Sequence, residues 1–149
     1  LTKDEILDIA TWKAVRSSSR VAKNPDDRVR VVTESAFKVD DPAAAAHWLT
    51  SLAGVRVRMA SAILTVYDPR RYTVLDVRAW ASLERLGLDK VGLDEYLLFE
   101  TPPLDDCITY RRYVAACRDL AEQLGVDLRM LDKCLWELNG RTPDEWEGG

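Results

Sequence analysis

The stretch "SLAGVRVRMASAILTVYDPRRYTVLDVRAW", residues 51 to 80, decides how this chain is read. Two helix-like runs meet at Ala53-Gly54-Val55-Arg56, and a single carboxylate, Asp76, stands just ahead of a third run. Leu49, Leu52, Val55, Ala60 and Ile63 follow the spacing h-x-x-h-x-G-h-x-x-x-x-A-x-x-h, which suits two short antiparallel helices joined by a tight hairpin over residues 42–67. Gly54 supplies the positive φ that such a turn demands. Ala60 is small enough to let the two helices approach closely. The start of the second helix presents unpaired backbone N–H groups, a ready anion site, and Arg56 and Arg58 flank it. A DNA phosphate is the natural anion.

Working outward, helix signals dominate. Thr2 and Glu5 form a capping-box pattern ahead of "ILDIATWKAVR". Asn24-Pro25-Asp26-Asp27 reads as a cap residue, a first-turn proline and two first-turn acids, and Asp41-Pro42 repeats such a start. Thr109 to Leu124 has a helical apolar period that Gly125 stops, and Asp127 opens "LRMLDKCLWELN". Thr142-Pro143-Asp144-Glu145 can start a last short turn. "RYTVLDV" alternates only briefly and has no partner strand, so it reads as an extended connector. The pattern predicts one all-α domain over residues 1–149, of six or seven helices.

The composition bounds the function. A chain of 149 residues that is 47% hydrophobic can build a real core. It has no run of about 18 apolar residues, so no membrane span is expected, and the acidic opening "LTKDEILDIA" does not read as a signal peptide. Cys107, Cys117 and Cys134 are odd in number and lack any C-x-x-C pair, which argues against disulfides or a zinc knot and for a reducing, cytoplasmic home. Cys117 falls at a core position of its helix. No metal and no cofactor is expected. The net charge of −4 is uneven: residues 1–80 balance to +3 and residues 81–149 to −7. A positive face on a mildly acidic protein still binds phosphates, with a modest dependence on salt.

"LAGVRVRMASAIL" followed by "YTVLDVRAW" resembles the helix-hairpin-helix DNA glycosylase superfamily, base-excision repair enzymes with a "GVG" turn and a downstream aspartate. The resemblance covers roughly residues 49–85. It implies a double-stranded DNA partner, held through Gly54, Val55, Arg56 and Arg58, with Arg78 as a further candidate; Arg70 and Arg71, in the connector between the hairpin and Asp76, suit phosphate contact but read more readily as a solvated turn. The second glycine of "GVG" is Arg56 here, and Arg78 replaces the family's usual histidine. Arg58 stands where bifunctional members place a Schiff-base lysine, and an always-charged guanidinium is no amine nucleophile. The resemblance therefore implies a monofunctional enzyme, with Asp76 as the family's general aspartate.

Breaking an N-glycosidic bond builds positive charge on the sugar, and a fixed carboxylate stabilises it or activates water. The target base is flipped into a pocket first. Asp76 suits that role, and it equally suits an N-cap of "VRAWASLERL", worth about 1 kcal/mol. The two roles are compatible. His47 reads as a surface or packing residue. Trp12, Trp48, Trp80 and Trp136 recur on helices and read as core, with one of them free to stack on a flipped base. Arg16 and Arg20, with Ser17 to Ser19, suit either phosphate contact or a solvated helix end. Two rivals stand beside the enzyme: a catalytically inactive fold that still holds DNA, and a protein-interaction domain without nucleic acid.

Overall fold

Capping chemistry sets where the helices begin. The computed structural model describes residues 2–13 and 15–139, excepting the side chains of 15–17, and eight α-helices lie among these described residues. Thr2 Oγ1 accepts from the Glu5 N–H at 3.2 Å and donates to the Glu5 carboxylate, which opens α1 (Lys3–Lys13). After α2 (Val15–Val21) and α3 (Asp26–Lys38), Asp41 caps α4 (Pro42–Thr50) by accepting from Ala43 N–H at 3.2 Å. The helices α5 (Val57–Tyr67) and α6 (Val77–Leu86) follow, with Asp76 as the cap of α6. A 3₁₀ turn (Asp94–Leu98) precedes α7 (Cys107–Leu124), which Asp106 caps. Gly125 ends α7 in the left-handed region at φ 68°, and α8 (Leu128–Asn139) completes the described chain. No strand occurs among the described residues, and "RYTVLDV" is an extended connector. The expected turn at Thr142–Glu145 and the side chain of Arg16 lie outside them.

The packing is all helix on helix. α4 lies between α3 and α7, α6 packs on α8, and α5 is held by α1, α4 and α7. One core runs through these contacts, with Ile6, Leu49, Ile63, Leu64, Leu75, Trp80, Tyr110 and Tyr113 fully buried. No helix among the described residues is long and apolar enough to cross a membrane.

Two sequence expectations are corrected. Asn24 does not cap α3; Pro25 occupies the cap position and makes no side-chain cap bond. Asn24 is buried instead and ties down the turn after α4. Its Nδ2 donates to the carbonyls of Val21 and Ala53 at 2.9 and 3.0 Å, and its Oδ1 accepts from Ala53 N–H at 2.9 Å. The tryptophans are not a core set. Trp80 is 1% exposed, whereas Trp12, Trp48 and Trp136 are 72%, 44% and 37% exposed. Helical recurrence does not say which face of a helix a neighbour covers.

Replacing Asn24 by Ala leaves the Ala53 N–H and carbonyl without their partner, while the Val21 carbonyl keeps the backbone N–H of residue 24. The expected cost is about 1–3 kcal/mol, read as a lower midpoint in urea unfolding with an unchanged slope.

Candidate functional site

The segment 71–76 reaches the site as irregular chain through the protein interior, and such a backbone needs partners for its polar groups. α7 and α5 supply them. Tyr110 and Tyr113 of α7 donate their hydroxyls to the carbonyls of Thr73 and Val74, each at 3.1 Å. Burial pushes both phenols above their usual range. Arg118, also of α7, donates through Nε and Nη2 to the Arg71 carbonyl. Ser61 of α5 accepts from Leu75 N–H at 2.9 Å and donates to the Arg58 carbonyl at 2.6 Å. Asp76 is thereby delivered to one place.

The Asp76 carboxylate is buried, 7% exposed, and each oxygen has a fixed donor. Oδ1 accepts from Ala79 N–H at 2.8 Å, the N-cap bond of α6. Oδ2 accepts from the indole N–H of Trp136 on α8 at 3.0 Å and lies 3.8 Å from Lys13 Nζ at the end of α1. Ser82 of α6 donates to the Leu135 carbonyl, which clamps α6 to α8 beneath this contact. Arg78 sits 4.1 Å from the centre of the Trp136 ring, a cation–π contact that fixes the indole from another side.

Asp76, Trp136 and Lys13 line a cavity of about 700 Å³, with Trp12, Asp132 and Lys133 also in its wall. A second cavity of about 460 Å³ adjoins it through shared Trp12, Val74 and Asp132. Together they have the size and mixed apolar–polar lining of a small-molecule or nucleobase site. The electrostatics are unusual. Burial pulls the Lys13 ammonium below its ordinary range, with Arg58 adding to the effect, while Asp76 and Asp132 oppose it. Burial, and then the nearby Asp76 charge, raise Asp132 from 3.8 to about 6, against the pull of Lys13. Asp132 Oδ1 is buried and accepts no hydrogen bond among the described residues. A carboxyl that titrates near neutrality beside one held by fixed donors can divide acid and base roles.

The other sequence-predicted residues are placed as follows. Gly54 has φ 80°, within the turn between α4 and α5, and Val55 is buried. The start of α5 already holds an anion from the chain itself. Asp105 accepts from Val57 N–H at 3.2 Å through Oδ1, and its Oδ2 lies 3.6 Å from Arg56. Arg58 is exposed and close enough to act on Lys13. Arg70 is exposed, while Arg71 contacts Asp40 at 3.4 Å, Asp68 at 3.9 Å and the Tyr72 ring. Sequence reasoning missed Lys13 and Asp132. For Asp132 a signal existed: it lies one turn before Trp136 on α8, so the two share a face beside the Leu128–Leu131–Leu135 core stripe. For Lys13 there was none beyond its neighbour Trp12. Among the described residues no three His, Cys, Asp or Glu side chains gather as a metal site. The comparisons with known proteins gave no match to a family model, a curated protein or a solved structure.

Asp132 keeps its proton to higher pH in the folded chain than in the unfolded one, so it lowers stability as pH rises through the interval from 3.8 to about 6. Asn at this position cannot ionise. Asp132→Asn is therefore expected to melt with the unsubstituted protein below this interval and above it at neutral pH, as measured by melting temperature across pH.

Proposed function

We propose that this chain is a DNA-binding, glycosylase-like protein of helix-hairpin-helix type, a monofunctional base-excision enzyme that uses Asp76. One observation carries the reading: Asp76, the residue the sequence singled out, lies in the wall of a cavity sized for a flipped base, with its carboxylate locked by two N–H donors. Trp12 and Trp136 line that cavity with aromatic surface on which a base can stack. As the glycosidic bond breaks, positive charge grows on the deoxyribose, and the preset carboxylate stabilises it without reorganising. Asp132, poised near neutrality and beside Asp76, can activate the attacking water or protonate the departing base. The turn at Gly54 and the arginines 56, 58, 70, 71 and 78 provide the contacts to the duplex backbone. A cytoplasmic setting, in which all three thiols stay reduced, goes with this role.

A second reading, an inactive binder or protein-interaction domain, is favoured by the Asp105 contact, because that carboxylate already fills the seat a phosphate would take. In the enzyme reading a phosphate displaces it.

Asp76→Asn separates the two, since Asn keeps the cap bond to Ala79; its amide cannot also accept from the Trp136 indole, so circular dichroism and a melting curve accompany the assay to verify the fold. Duplexes carrying a panel of modified bases are expected to be cleaved at the glycosidic bond by the unsubstituted protein, and about 100-fold more slowly or not at all by the variant. Duplex binding is expected to persist. Excision that survives the substitution removes Asp76 from the mechanism. Arg58→Glu is expected to weaken duplex binding and to reduce its salt slope by about one. Asp105→Ala is expected to tighten binding by about tenfold, the worth of one charge-assisted contact, in a fluorescence titration at low salt.

A further inference from the structure

One turn of the chain holds apolar side chains in water on a fixed base. The 3₁₀ turn Asp94–Leu98 buries Tyr96, whose ring meets Trp80 edge-on at 5.3 Å and whose hydroxyl donates to Thr109 at 3.2 Å. Arg112 of α7 clamps the turn further, through the Glu95 carboxylate and the Gly92 carbonyl. Leu97, Leu98 and Phe99 are left exposed on this anchored base, Leu98 at 94%. Such side chains add nothing to the core, yet held in one arrangement they suit the anchoring of an interface, because little freedom remains to be lost on binding. Their surroundings are acidic. Residues 91–110 carry Asp94, Glu95, Glu100, Asp105 and Asp106 and no Lys or Arg.

The cavity between α1, α6 and α8 has the complementary character. Its wall is apolar and aromatic at Trp12, Val74 and Trp136. Lys133 is exposed at its rim, Arg78 is exposed over the Trp136 ring, and Arg129 is exposed at the adjoining cavity. Asp76 is buried and Asp132 half-buried, so the charge presented outward is mostly positive, with Glu137 as an exposed acid beside it. We propose that the turn 94–99 of one copy of this chain seats in the cavity of a second copy. Leu98 and Phe99 meet the tryptophans, and Asp94 and Glu100 face Lys133, Arg129 and Arg78. The turn is tied to its own α6 and α7 through Trp80, Thr109 and Arg112, so it does not swing into the cavity of its own chain. The two surfaces differ, so the contact is head-to-tail and leaves each pair with one free turn and one free cavity. It is also small, as weak and transient contacts are. While the turn is seated, the cavity is closed to any other ligand.

The test is sedimentation velocity at low salt, with the protein at about 10 to 500 μM, the span in which a weak contact assembles. The expected result is a weight-average mass that rises with concentration and falls back as salt is added. Leu98→Asp alters a side chain that stands in water, so circular dichroism is expected to show the fold unchanged. Association is expected to weaken about 30-fold, the worth of one buried leucine. Arg129→Glu combined with Lys133→Glu, both at exposed positions, is expected to weaken it about tenfold. The deciding arm mixes the two variants. The first keeps its cavity and the second keeps its turn, so a one-to-one pair is expected to form and to stop at two chains. A monomer at every concentration overturns the proposal, as does association that survives Leu98→Asp. A mixture that stays monomeric overturns it too, since the partner of Leu98 is then not the cavity. None of these readouts involves DNA, so their failure leaves the excision reading standing, and failure of excision leaves the self-association standing.

Discussion

A non-repetitive segment that runs through a protein interior must find a partner for each of its backbone polar groups. Residues 71–76 are such a segment, and most of the polar contacts that shape the site serve it. Two buried tyrosines and an arginine from α7, with Ser61 from α5, accept or donate along its length. Their chemistry is expensive to misplace, because a buried donor or acceptor left unpaired costs about 1–3 kcal/mol. The segment therefore has one path, and Asp76 at its end has one position. From that single placement follow the start of α6, the indole contact to α8 and the pairing with α1.

The cavity then inherits its character from where those three helices end or pass. α1 contributes a lysine through its last turn, where a cation is favoured by the helix dipole. α6 contributes a carboxylate through its cap. α8 contributes Asp132 and Trp136 from one face. None of these placements is unusual taken alone. Brought together under partial burial, they depress the lysine and raise one aspartate to about 6, so burial works against the charged form of both groups.

The turn between α4 and α5 illustrates a different economy. Asn24, 29 residues upstream in sequence but adjacent in space, fixes both the N–H and the carbonyl of Ala53, and Gly54 takes the positive φ. The amide that this geometry exposes at the start of α5 is engaged by Asp105, a carboxylate from the loop before α7. An anion at a helix start is what the dipole favours. In the proposed function that carboxylate marks the spot where a phosphate competes for the same N–H and the same Arg56.

Much of the fold was legible because it rests on local physics. Caps at Thr2, Asp41, Asp76 and Asp127, the stop at Gly125 and the turn at Gly54 act within a few residues of themselves. The all-helical class follows from them, as does the choice of Asp76 as the residue to watch. What only the tertiary structure decided are the relations across long separations: Asn24 with Ala53, Asp105 with Val57, Trp136 with Asp76, and Lys13 with Asp76 and Asp132. Three tryptophans that a helical pattern assigns to the core proved substantially exposed, two of them on the cavity wall. The reason is physical. A cap is written in the order of neighbouring residues, whereas burial and charge coupling depend on which distant helix arrives alongside.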